Sequence, residues 1–161
     1  MKTVKLALIL PCFNEEDLLR DSFEILSEYF NELIGFNLIS SDSFICLVDD
    51  GSNDLTWKII KEISLNNNNV LGVKLSANFG HQNALLAGLS ECKESADVFI
   101  TIDADLQDDY HAIREMVLSY SKGHDIVYGV RSSRKTDSYF KRTSALVFYN
   151  FQKLLGLKII K

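Results

Sequence analysis

Asp103-Ala104-Asp105 is the arrangement in this sequence with the clearest chemical meaning. Two carboxylates one residue apart, at the end of the apolar run Val98 to Ile102, cannot both stay ionised and unpaired in a low-dielectric crevice, because their repulsion raises the pKa of one of them. A divalent cation resolves the conflict. Mg²⁺ and Mn²⁺ take oxygen ligands and combine a few carboxylates with substrate phosphates and water; Gln107 offers an amide oxygen two residues further on. Asp49-Asp50-Gly51-Ser52 follows a second apolar run, Phe44 to Val48. A carboxylate there can accept hydrogen bonds from a nucleobase ring N–H or from ribose hydroxyls, while Ser52 or Asp54 starts the next helix. Arg131, Arg134, Lys141 and Arg142 form the concentrated basic segment. Its guanidinium forks suit phosphate oxygens, and composition alone equally allows a solvated surface. Neither GxGxxG nor GxxxxGK[ST] occurs, so no dinucleotide or P-loop phosphate cradle is written here.

The elements that must position these residues follow from periodicity. Val4 to Leu10 reads as a strand covered on both faces and ends at Pro11. Asn14, followed by Glu15, Glu16 and Asp17, predicts an N-cap and acidic first turn for a helix through Leu18, Leu19, Phe23, Leu26 and Phe30. Phe44 to Val48 is the second strand, and its helix runs through Trp57, Ile60 and Ile63. Val70 to Leu75 is the third, followed by the turn Ser76 to Gly80 and a helix from about His81 to Ser90 whose small residues allow close packing on a sheet. Val98 to Ile102 is the fourth strand, with a helix face at Ile113, Met116, Val117 and Tyr120. Asp125 to Val130 reads as a fifth, before a charged loop and a last helical pattern through Phe140, Val147, Phe148, Phe151 and Leu155. This alternation predicts an α/β fold: a doubly wound, mostly parallel sheet with helices on both faces and right-handed crossovers. Ligands of such sheets bind beyond the carboxyl ends of the strands, where the polar clusters fall.

The 161 residues suit one domain with a continuous core, since 47% are apolar and 24% charged. Seventeen Lys+Arg against 22 Asp+Glu give a net charge of −5, so no overall positive field collects nucleic acid or an anionic membrane. Any phosphate must be met by a local basic site or a metal ion. Cys12, Cys46 and Cys92 are widely spaced and odd in number, which favours buried thiols in a reducing compartment. No apolar stretch reaches the length of about 18 residues needed to span a bilayer, and the chain as given reads as cytoplasmic.

Five segments taken together carry a resemblance: Leu10-Pro11-Cys12-Phe13-Asn14-Glu15-Glu16, Val48-Asp49-Asp50-Gly51-Ser52-Asn53-Asp54, Asn78-Phe79-Gly80-His81-Gln82-Asn83-Ala84, Asp103-Ala104-Asp105-Leu106-Gln107-Asp108, and Gly129-Val130-Arg131 with Arg134. In this order they resemble the family 2 inverting glycosyltransferases of GT-A (Rossmann-like) fold. Within that family they are most similar to the polyprenyl-phosphate glycosyltransferases, the bactoprenol glucosyltransferase and dolichol-phosphate mannosyltransferase group. The resemblance implies that Pro11, Phe13, Glu15, Val48 and Asp50 line a nucleotide pocket. It implies that Asp103, Asp105 and Gln107 hold the metal, with Asp103 and Ala104 also against the sugar nucleotide. Arg131 matches a phosphate-binding arginine and Arg142 a second one; Asp105 and Arg131 are then the catalytic pair. Asp109-Tyr110-His111 stands where the subgroup usually has Pro-Pro-Glu, a departure that bears on the shape of the next turn.

The reaction so implied moves a hexose from a UDP- or GDP-sugar to a polyprenyl or dolichyl phosphate with inversion, aided by Mg²⁺ or Mn²⁺. A phosphate monoester acceptor is already anionic near neutral pH, so no strong general base is required, and His81, His111 and His124 are read as helix-end or surface residues. Family members normally continue past Lys161 into an acceptor-binding segment and often membrane helices. Residues 1–161 therefore read as the nucleotide-sugar-binding part of the domain, cut before its acceptor region, of a protein working at the cytoplasmic face of a membrane. Two alternatives stay open: a family 2 transferase acting on a glycan hydroxyl, and an inactive nucleotide-sugar-binding fragment.

Overall fold

The computed structural model describes residues 3–130. The chain divides into two compact units, Met1–Tyr128 and Gly129–Lys161, and the first holds the four-stranded sheet of the described residues. Among the described residues, four strands alternate with four helices: β1 Leu6–Cys12, α1 Leu19–Gly35, β2 Phe44–Asp49, α2 Thr56–Asn66, β3 Val70–Lys74, α3 His81–Cys92, β4 Val98–Thr101 and α4 Ala112–Ser121. All pairings are parallel, in the order β3-β2-β1-β4. β1, whose seven residues are all buried, takes the centre because neither of its faces carries a charge.

The side chains of β1 and β2 alternate between two cores. Leu6, Leu8, Leu10, Ile45 and Leu47 meet α1, α2 and α4 on one face, through Leu26, Phe30, Ile60, Ile113 and Val117. Ala7, Ile9, Cys46 and Val48 meet α3 on the other, through Ala84 and Cys92. The close approach foreseen from small residues is made at Gly88: a Cβ there would lie 2.6 Å from Ile9 Cγ2 and 2.9 Å from Val48 Cγ2. The strand order reverses between β1 and β4, since β1, β2 and β3 proceed one way and the α3 crossover returns to the far side of β1. That reversal opens a crevice between their carboxyl ends.

Two expectations change. Asn14 is not an N-cap; α1 begins at Leu19 without a side-chain cap, and Asn14 sits at φ 55 with its amide oxygen bonded to Asn53 of the neighbouring loop. Its acceptor is therefore committed across loops and not to its own helix. Asp125 to Val130 is not a strand: Ile126, Tyr128 and Val130 are 71–81% exposed, and no described residue pairs with them. Alternation favours a strand only where a neighbour supplies the ladder and a core takes one face.

Gly88→Ala gains helix propensity of about 1 kcal/mol yet forces a methyl against Ile9 and Val48. Overpacking of that kind costs about 1–3 kcal/mol. Chemical denaturation should show Gly88→Ala less stable than the parent, whereas Gly35→Ala, with nothing within 4 Å of the new methyl, should be neutral or stabilising.

Candidate functional site

The crevice between β1 and β4 is a cleft of about 300 Å³ lined by Pro11, Cys12, Phe13, Glu15, Asp50, Asn78, Gly80, His81, Ala84, Asp103, Ala104 and Asp105. Its carboxylates reach it by different routes. Beyond β4, the Ile102 N–H still bonds to Ile9 O at 3.1 Å, and Ile102 and Ala104 are buried in the core. With both of those side chains turned inward, Asp103 and Asp105 project outward into the cleft. Leu106 then turns the chain at φ 49, its N–H bonded to Asp103 O at 3.2 Å, and Gln107 N–H donates to Asp105 Oδ1 at 3.1 Å.

Glu15 arrives from the β1 side, held by a clasp between the loops that follow β1 and β2. Asn14 N–H donates to Ser52 Oγ (3.0 Å), Asn53 N–H to Asn14 Oδ1 (2.9 Å), Glu15 N–H to Thr56 Oγ1 (2.8 Å), Glu16 N–H to Asp54 Oδ2 (3.1 Å) and Leu55 N–H to Glu16 Oε2 (2.8 Å). The Thr56 N–H also bonds Asp54 Oδ1 at 2.9 Å, so Asp54 is the carboxylate that starts α2. Burial alone pushes the Asp54 carboxyl up, but these hydrogen bonds outweigh it and hold the group below its ordinary range. Asp54 and Glu16 are in this way tied to backbone N–H groups of the two loops.

Asp50 forms the back wall and is 3% exposed. Its Oδ1 accepts the Phe79 N–H at 2.8 Å and its Oδ2 the Gly80 N–H at 2.9 Å. Gly51, at φ 67, presses on the same loop, where a Cβ would lie 2.3 Å from the Ala77 carbonyl carbon. Asp49 points the other way and is fully buried; Ser52 N–H donates to its Oδ1 at 3.1 Å, and its Oδ2 has no hydrogen-bond partner among the described residues. Cys12, Cys46 and Cys92 are free and buried, and burial raises each thiol above its ordinary pKa, so they remain protonated.

The structure thus brings together Pro11, Phe13, Glu15, Asp50, Asp103, Ala104 and Asp105. Val48 does not join them: fully buried, it lies two residues before Asp50 on the same face of the sheet and is covered by α3, which packs on it through Gly88. Gln107 is exposed outside the cleft lining and contributes its backbone N–H to Asp105. Arg131 and Arg142 lie outside the described residues. His81 is an addition. All three histidines sit at helix ends as expected, but His81 also faces the cleft, with Nε2 3.7 Å from Asp103 Oδ1. The substituted turn at Asp109-Tyr110-His111 packs on α1: Tyr29 Oη donates to His111 O at 3.1 Å, and the Tyr29 and Tyr110 rings meet edge to face at 5.3 Å. A second groove of about 430 Å³ lies between α1 and α2 by Glu24, Glu28 and the Arg20–Glu62 ion pair. It has none of the residues from the strand ends.

Electrostatically the cleft has too much negative charge for its own comfort. Burial first, then the carboxylates of Asp105, Asp54 and Asp103, push the Glu15 carboxyl above its ordinary range. The folded chain therefore holds that proton more tightly than the unfolded chain, and stability falls as pH rises from the ordinary carboxylate value through the raised one. Glu15→Gln should accordingly raise the melting temperature at pH 7, with the gain shrinking as pH falls toward about 4; thermal unfolding at several pH values measures it.

Comparison with known proteins agrees with this geometry. The model of glycosyl transferase family 2 matches residues 7–159. An uncharacterized glycosyltransferase of Bacillus subtilis (strain 168), YkoT, is 52% identical over 155 residues, covering 96% of this chain and 46% of the relative. The prophage bactoprenol glucosyl transferase homolog of Escherichia coli (strain K12) is 34% identical over 153 residues, 95% of this chain and 47% of the relative. The chain thus spans about half the length of these curated relatives. Among solved structures, S. aureus TarS 1-349 in complex with UDP has a TM-score of 0.55 over 85% of this chain and 39% of its own, at 19% identity, a likeness of fold. With the family model running over nearly the whole sequence, and with relatives this similar carrying the glycosyltransferase name, the chain belongs to glycosyl transferase family 2 and has its GT-A fold.

Proposed function

We infer that this chain supplies the donor site of a metal-dependent inverting glycosyltransferase that moves a hexose from a UDP- or GDP-sugar to a polyprenyl phosphate at the cytoplasmic face of a membrane. The observation that carries the reading is the convergence of Glu15, Asp103 and Asp105 on one cleft at the strand-order reversal. Relatives named bactoprenol glucosyl transferase support the lipid acceptor, and the UDP bound by TarS supports a uridine nucleotide.

The residues fit a hard divalent cation that arrives with its substrate. Among the described residues, no group of three His, Cys, Asp or Glu side chains stands ready to hold a metal. Asp103 and Asp105 would supply one or two oxygens, and phosphate and water the rest, as Mg²⁺ commonly requires. Bound there, the ion would neutralise charge on the departing diphosphate. The chain's own parts do the positioning: the clasp aims Glu15, buried Ala104 turns its two acidic neighbours outward, and Asp50 fixes the wall behind them. In the transfer, an oxygen of the anionic acceptor phosphate bonds to the anomeric carbon as the bond to the diphosphate breaks. No proton need be removed, and Arg131 and Arg142 are assigned to the phosphates by family likeness.

A cation shared between protein and nucleotide makes their binding mutually dependent. Calorimetric titration should show Mn²⁺ alone binding weakly and strengthening UDP binding by about tenfold or more, a coupling near 1.4 kcal/mol. Asp105→Asn should remove that enhancement while leaving the unfolding transition nearly unchanged. UDP binding that ignores both Mn²⁺ and the substitution would overturn the reading.

A further inference from the structure

We propose that His81 is a donor-substrate contact, its Nε2–H reaching a non-bridging oxygen of the sugar-nucleotide diphosphate. The inference rests on the donor-site reading and adds a residue to it. It starts from what the described cleft can offer to a ligand. Glu15, Asp50, Asp103 and Asp105 are, when ionised, acceptors only. The other lining side chains, apart from two, carry neither nitrogen nor oxygen. A diphosphate is itself all acceptor, so a cleft of carboxylates and hydrocarbon repels it wherever a cation does not intervene.

Those two exceptions are Asn78 and His81. The Asn78 amide oxygen accepts the Gly80 N–H at 2.9 Å, which leaves only its NH₂ group for other contacts on an exposed turn. His81 is better placed. It is the first residue of α3, directly after Gly80, whose N–H is fixed by the buried Asp50 carboxylate. The ring is about half exposed and lines the same cleft as Glu15 and Asp105. Its Nε2 lies 3.7 Å from Asp103 Oδ1, beyond hydrogen-bond distance, so the nitrogen is not committed to that carboxylate. The opening turn of a 12-residue helix adds positive potential in the same direction. A phosphate oxygen placed between metal and imidazole would be met from two sides.

The test compares UDP with uridine, in saturating diamagnetic Mg²⁺, by NMR titration of the unaltered chain, His81→Ala and His81→Gln. A hydrogen bond to a charged group predicts that His81→Ala weakens UDP binding about tenfold or more, leaves uridine binding unchanged, and is partly rescued by His81→Gln, which restores a side-chain donor. Unchanged UDP affinity in His81→Ala overturns the inference while the donor-site reading stands. Equal loss for UDP and uridine also overturns it, because that pattern marks a disturbed loop. If the unaltered chain binds no UDP, the donor-site reading fails and this inference fails with it.

Discussion

The Asp50 carboxylate is the interaction on which the functional edge depends. It is buried at the end of β2, and burying a carboxylate is costly unless its oxygens are satisfied. Here the N–H groups of Phe79 and Gly80 satisfy them. The bond pair joins the end of β2 to the start of α3, the single helix that covers its face of the sheet among the described residues. Gly51 makes the approach possible, since any side chain there would strike the Ala77 backbone. With α3 anchored at its beginning, Gly88 and Ala84 seat it on β1 and β2, and one wall of the cleft is set.

The opposite wall is built by the same logic with smaller parts. The two loops after β1 and β2 would each leave several backbone N–H groups without partners at the rim of the sheet. They satisfy one another instead, using Asn14, Glu16, Ser52, Asp54 and Thr56 as acceptors. This sorts the acids of the edge into two kinds. Glu16 and Asp54 serve the clasp between the loops, and Asp50, at the back of the cleft, has both oxygens bonded to backbone N–H groups. Glu15, Asp103 and Asp105 face the cleft, Asp105 also accepting the Gln107 N–H, and burial first, then the neighbouring carboxylates, raise the Glu15 pKa.

Much of this was legible in the sequence because parallel strands buried on both faces read as unbroken apolar runs. Leu6 to Leu10 and Ile45 to Val48 left little choice of structure, and the acidic clusters at their ends followed from topology. What escaped was set by contacts between distant segments. Asn14 has the composition of an N-cap, and only the neighbouring loop, 39 residues on, takes its oxygen elsewhere. Val48 lies in the segment that ends at Asp50 and on the same face, and only the seating of α3 on that face, through Gly88, buries it short of the cleft. Asp125 to Val130 had the alternation of a strand without a described neighbour to bond. His81 looked like an ordinary helix-end residue, and the signal that could have found it is its place just after the Asn78-Phe79-Gly80 turn, at the edge where every other cluster gathers.

The central claim is one of place: cation and nucleotide meet at the β1–β4 crevice. Paramagnetic broadening by substoichiometric Mn²⁺ in the presence of UDP reports that place directly, since amide signals near the ion vanish first. The account predicts early loss at residues 13–15, 78–81 and 103–107, with signals along the α1–α2 groove around Glu24, Glu28 and Glu62 kept sharp. Broadening centred on that groove, or spread evenly over the acidic surface, would contradict it.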